Sequence, residues 1–186
     1  MGAVGDVTAD PDGEHIWAII RCDATAPDRF GGGMFIWPHG LDVDREGNVW
    51  VTDAIIPAKT PPGKRGHGVV KFSPTGKVLM TLGTPGVPGS DSTHFSSPSD
   101  VVISANGDIF FADGHFDGGN NRIVKFDRNG KLLKEWGKTG CAPGEFRQMH
   151  AIAIDPDGRV FVADRGNNRV QIFDQEGKFL AQWNHV

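Results

Sequence analysis

Short apolar stretches alternate with glycine-bearing polar turns along the whole chain, and apolar residues nowhere recur at helical spacing. One such phrase occurs three times. Pro38-His39-Gly40-Leu41-Asp42-Val43 leads through a turn at Gly47 to Val49-Trp50-Val51-Thr52-Asp53. Pro98-Ser99-Asp100-Val101-Val102-Ile103 leads through Gly107 to Ile109-Phe110-Phe111-Ala112-Asp113, and Met149-His150-Ala151-Ile152-Ala153-Ile154 leads through Gly158 to Val160-Phe161-Val162-Ala163-Asp164. The turn glycines are 60 and 51 residues apart. Each full copy divides into four short strands. In the middle copy these are Ser99–Ser104, Asp108–Asp113, Arg122–Asp127 and Lys131–Trp136. The turns Ala105-Asn106-Gly107 and Arg128-Asn129-Gly130 carry Asn-Gly, the pair that supplies the positive φ of a tight hairpin. Four antiparallel strands per repeat make one propeller blade, so the pattern predicts an all-β propeller.

The first repeat is short. Gly5–Gly13 and Ile16–Ile20 match the first two strands, but Arg21 to Gly33 then runs directly into the next repeat. Residues 1–186 therefore read as a single, partial propeller domain, with repeats at about 4–33 (truncated), 35–83, 95–137 and 146–183. That is about three and a half blades, whereas a six-bladed ring takes roughly 240–300 residues at ~40–50 per blade. The expectation is an open arc, or part of a longer protein. Its end blades would expose apolar faces and unprotected strand edges, through which copies would self-associate. Phe35, Phe95 and Phe146, each three residues before the opening Pro or Met, are expected to pack between blades.

Composition narrows the function classes. The net charge of −4 and the lack of a basic patch argue against a nucleic-acid partner. No apolar run is long enough to span a bilayer. No signal peptide precedes the first repeat, which leaves the compartment open and compatible with a periplasmic or secreted full-length protein. Cys22 and Cys141 have no metal-ligand spacing.

Candidate chemistry lies at the start of the innermost strands. The position after the opening Pro or Met holds His39, then Ser99, then His150. In a six-bladed ring alternate blades stand a third of a turn apart, so three such histidines would converge on the axis. Three imidazoles with an open fourth position make a catalytic zinc site. The third is expected from a further blade. Arg21 and Arg165 follow the second strand of the truncated and the last repeat. There they would clamp a substrate carboxylate or pair with a neighbouring blade. Asp53, Asp113 and Asp164 end every second strand, and their regularity predicts carboxylates that accept backbone N–H bonds from the turn that follows. Asp44 and Asp155 read as turn residues. His115 sits in a polar, glycine-rich loop, Asp113 to Asn121, at the expected channel mouth. His15, His67, His94 and His185 show no specific pattern.

These residues carry a resemblance. Ala163-Asp164-Arg165-Gly166-Asn167-Asn168-Arg169-Val170-Gln171-Ile172-Phe173 resembles the NHL-repeat signature. More narrowly, Pro38–Asp53, Gly89–Phe95 and Asp113–Phe126 resemble peptidyl-α-hydroxyglycine α-amidating lyases, which are six-bladed propellers. The resemblance implies a channel zinc, with His39 and His150 as two of its three histidine ligands. It implies substrate-facing roles for Arg21 and Arg165, and a structural calcium bound partly through the carbonyls of Val7 and Leu41. The implied substrate is a small molecule or peptide C-terminus, cleaved to a peptide amide and glyoxylate. The chain has no tyrosine. The position of the family's tyrosine base aligns with His115, and the remaining zinc and calcium ligands would fall beyond Val186. The alternative is a non-catalytic NHL propeller that binds a ligand or a protein.

Overall fold

A computed structural model describes residues 3–21, 30–60 and 65–184. Its strands are β1 (Ala3–Ala9), β2 (Ile16–Arg21), β3 (Pro38–Val43), β4 (Val49–Asp53), β5 (Val69–Phe72), β6 (Val78–Leu82), β7 (Pro98–Ile103), β8 (Ile109–Asp113), β9 (Arg122–Phe126), β10 (Leu132–Trp136), β11 (Met149–Ile154), β12 (Val160–Asp164), β13 (Arg169–Phe173) and β14 (Phe179–Asn184). They form three four-stranded antiparallel meanders, β3 to β6, β7 to β10 and β11 to β14, and one two-stranded sheet, β1 with β2. The fold is all-β, built of propeller blades. The truncated repeat forms the two-stranded sheet. Its segment from Cys22 to Arg29 lies outside the described residues, as do the Arg21 side chain and His185.

Strand limits in the middle blade fall within a residue of the sequence expectation, and the turn side chains explain where they stop. Asp127 Oδ1 accepts from the backbone N–H of Asn129 and Lys131, both at 2.9 Å, which replaces ladder bonds with a side-chain-closed turn. Asp44 does the same for Glu46 and Asn48, and Asp155 for Asp157 and Arg159.

The core lies between blades. One apolar cluster joins Trp50, Val69 and Leu82 of the second sheet to Val101, Phe111 and Phe126 of the third. Another joins Phe110 and Ile123 to Ile152, Val162 and Phe173. Phe95 and Phe146 are fully buried within these clusters, and Phe35 packs against the cluster shared by the first two sheets. Both faces of a central strand are therefore covered, which is why β4, β8 and β9 are buried at every position.

The Asp that ends each second strand corrects a sequence expectation. Its backbone donors come mainly from the segment that enters the blade, not from the turn that follows. Asp53 accepts from Ile36 and Trp37 N–H, Asp113 from Ser96 N–H and Asp164 from Arg147 N–H. Among the described residues only Asp53 also accepts from a later backbone N–H, that of Gly66 at 2.8 Å. In the other two blades that place is taken by side chains. Asn120 and Arg122 donate to Asp113 Oδ2, and Asn167 and Arg169 to Asp164 Oδ2. The same arginines reach back to the incoming loop, Arg122 to the carbonyls of Ser90, Asp91 and His94, and Arg169 to those of Cys141, Ala142 and Glu145. The Asp…Asn-Asn-Arg phrase is thus a buried latch that fixes where β7 and β11 begin.

Candidate metal centre and its surroundings

All four innermost strands carry a register irregularity at the same place. Pairing shifts between Pro38 and Leu41, between Pro98 and Asp100, between Met149 and Ala151, and between Val4 and Asp6. The bulged positions include His39, Ser99 and His150. A bulge releases a residue from the ladder and re-aims its side chain. Neighbouring blades approach tightly here. A Cβ on Gly40 would come within 2.4 Å of Asp100 Cα, so only glycine fits beside His39.

The consequence is a cluster of three imidazoles. His39 and His150 have ring centroids 4.9 Å apart. His115 lies 4.2 Å from His39 and 5.1 Å from His150. One ligand nitrogen from each ring falls within 4.8 Å of the other two. His39 and His115 are buried and His150 is exposed, so the cluster opens to solvent on one side. The His39 Nδ1–H donates to the Ser99 carbonyl at 2.9 Å, which leaves Nε2 as the lone-pair nitrogen. Thr52 Oγ1 donates to the same carbonyl at 2.9 Å while accepting from Gly40 N–H at 2.8 Å, locking the strand opening.

His115 is placed by its loop. The Gly114 and His115 N–H groups both donate to the Ser97 carbonyl. Gly114 has φ +150°, and a Cβ there would meet Asn121 N at 2.5 Å. Gly119 packs back against Gly114, and Gln148 Nε2 donates to Asp117 Oδ1 at 2.7 Å, tying the loop to the segment that enters β11. His115 Nδ1 is buried without a hydrogen-bond partner. Burial pulls the His115 pKa down to about 3, with the neighbouring His39, Arg165 and His150 adding to the fall. At neutral pH its imidazole is a neutral lone-pair donor.

Three convergent imidazoles, one with an orphaned buried nitrogen and one with its tautomer set by a carbonyl, suit a divalent transition ion such as zinc. Ligand nitrogens about 2.0–2.1 Å from one ion lie ~3.4 Å apart, so the rings need only small rotations inward.

Arg165 follows β12 and borders this cluster. Its Nη2 donates to the His115 carbonyl at 3.2 Å and to Gln148 Oε1 at 3.3 Å, and the residue remains exposed. It makes neither bond to a carboxylate. The backbone of Arg21 ends β2, and its side chain lies outside the described residues. Val7 and Leu41 lie on adjacent innermost strands, joined by Asp6, which accepts from both N–H groups at 2.9 Å. Asp42 and Asp100 extend this ladder to Ile103 and Ile152. Burial, reinforced by mutual repulsion with Asp6, raises Asp42 to about 6 and Asp100 to about 7.

Sequence reasoning missed His67. It is fully buried at φ +61°, the position held by Asn121 in the next blade. Its Nδ1 accepts from Ser97 N–H at 3.1 Å, as Asn121 Oδ1 accepts from Gln148 N–H at 3.0 Å. The signal was its alignment with Asn121 and Asn168 just before each third strand.

Fold and sequence comparisons converge on one class. Residues 146–173 match the NHL repeat family model. Among solved structures, a streptogramin B lyase aligns over 91% of this chain and 44% of its own, at TM-score 0.55 and 20% identity. Virginiamycin B lyase from Staphylococcus aureus aligns over 80% of this chain and 41% of its own, at TM-score 0.53 and 19% identity. These two likenesses establish the fold.

The chain is built of β-propeller blades, carries an NHL repeat match at residues 146–173, and is similar to the peptidyl-α-hydroxyglycine α-amidating lyases. It is 40% identical over 152 residues to a probable peptidyl-α-hydroxyglycine α-amidating lyase of Caenorhabditis elegans, covering 80% of this chain and 40% of that protein. It is 38% identical over 134 residues to human NHL repeat-containing protein 3, covering 69% of this chain and 36% of the relative. The chain thus spans at most two fifths of the length of these curated relatives.

Proposed function

We propose that this chain forms part of a zinc-dependent, amidating lyase-like propeller that cleaves a hydroxyglycine-type or other small hydroxylated carboxylate at the channel mouth. The observation that carries this reading is the convergence of His39 and His150 beside Arg165, at the open end of bulged innermost strands. The likeness to named amidating lyases supports it. Arg165, and Arg21 from the truncated blade, would hold the substrate carboxylate through charge-assisted bonds. The hydroxyl would lose its proton, its C–O bond would become C=O, and the C–N bond would break as the amide nitrogen takes up a proton. The products are a peptide amide and glyoxylate. When bound, zinc would supply Lewis acidity toward the hydroxyl. In place of a tyrosine, His115 is the third imidazole within reach, as proton acceptor or as ligand. Turnover lost with metal retained in His115→Phe identifies the first role.

A structural calcium is part of the same proposal, held through the Val7 and Leu41 carbonyls where Asp6, Asp42 and Asp100 crowd the channel. Chelation should then lower the melting temperature, and an unchanged melt removes the calcium. The deciding assay is glyoxylate release from a peptidyl-α-hydroxyglycine by the zinc-loaded chain and by a longer form carrying six blades. Release from neither favours the second reading, a ligand- or protein-binding NHL scaffold, which the relationship to NHL repeat-containing protein 3 also supports.

A further inference from the structure

We infer that His115 is a metal ligand, completing with His39 and His150 a three-imidazole site carried entirely by the blades described here. The inference rests on the metal reading above but not on the lyase reaction. Three observations point to it. The His115 ring is closer to His39, at 4.2 Å, and only slightly farther from His150, at 5.1 Å, than those two are from each other at 4.9 Å. A group acting on a substrate above the metal would instead stand off from the pair. Its Nδ1 is buried with no hydrogen-bond partner, a desolvation cost that a metal–nitrogen bond would remove. The backbone that carries the ring is also held before any ligand arrives, by the two N–H bonds to Ser97 O, the glycine pair and the Arg165 bond to the His115 carbonyl. A loop held this firmly suits a ligand that keeps one position.

The test is metal binding by the chain itself. Zinc content after equilibrium dialysis should be one per chain. Cobalt(II) substitution should give the strong visible absorption of a four-coordinate site with an open water position. In His115→Phe, zinc affinity should fall by at least the roughly 10–100-fold that loss of even an outer-shell partner costs, and the cobalt band should collapse. His94→Ala, at a surface Asp91 pair, should change neither. Because His115→Phe alters a buried position, X-ray absorption of the zinc-loaded unmodified chain gives an independent count. Three imidazoles support the inference. Two imidazoles, unchanged affinity in His115→Phe, or stoichiometric binding that survives His39→Ala overturns it. Metal binding without glyoxylate release would sink the lyase reading and leave this one standing.

Discussion

His67 shows how one buried side chain couples two blades and makes the fold acid-sensitive. Ser97 N–H points at Nδ1, so the proton resides on Nε2 and is donated to Thr60 Oγ1 at 2.6 Å. Burial lowers its pKa to about 4. A histidine whose folded pKa lies below its unfolded value stabilises the fold above pH ~6.5, and that contribution is lost as pH falls toward 4. The loss should approach roughly 3 kcal/mol, at 1.36 kcal/mol per pKa unit. Urea titrations at pH 7, 5 and 4 should show it. His67→Asn, the residue used at positions 121 and 168 in the same left-handed conformation, should flatten the dependence. An identical pH profile in that variant would acquit His67. Gly40 is a second such point. Gly40→Ala drives a Cβ into the backbone of Asp100 and should cost at least about 1–3 kcal/mol, with a matching loss of metal affinity because His39 is its neighbour.

Among elements, the latch and the His115 loop do separate jobs. Asp113 is fully buried and bonded to Arg122 at 3.0 Å. Asp113→Ala leaves a buried guanidinium without its main counter-charge and should destabilise by about 3–5 kcal/mol. Glu135→Ala, which removes the half-exposed second partner of Arg122, should cost under about 1 kcal/mol. Denaturation of both variants settles the ranking, and equal costs would refute the latch. The loop should behave differently. Gly114→Ala meets Asn121 N at 2.5 Å, so the loop must shift. Metal affinity should drop about tenfold or more while the blade cores, which the loop does not fill, keep their cooperative melt.

For the whole molecule, the ends of the arc decide behaviour in solution. Val4, Val7 and Ile16 on the two-stranded sheet are 59%, 58% and 75% exposed, and Trp183 on the last strand is 54% exposed where its counterpart Leu82 is buried. These are apolar groups that a neighbouring blade would cover in a ring. Sedimentation velocity of this chain should show association that rises with concentration, and a longer form with closing blades should sediment as a monomer. A monodisperse, cooperatively melting monomer of this chain would show that the ends are covered in a way the arc does not suggest.

The repeat itself determined the strand count, the blade order, the interblade aromatics and the pair His39 and His150. All follow from period and residue type, which a linear reading contains. Tertiary structure alone decided three things. The bulges that aim His39 and His150 appear only in the strand pairing, and only the packing shows that Gly40 beside His39 meets the backbone of Asp100. His115 joined them because Gly114, Gly119 and the Ser97 carbonyl fold a polar loop inward. A lone histidine between glycines reads equally well as solvent-facing. The aspartates ending each second strand take backbone N–H groups mainly from the incoming segment and meet the following residues chiefly through Asn and Arg side chains, because the buried end of a central strand lies between the blade's entrance and the start of its third strand.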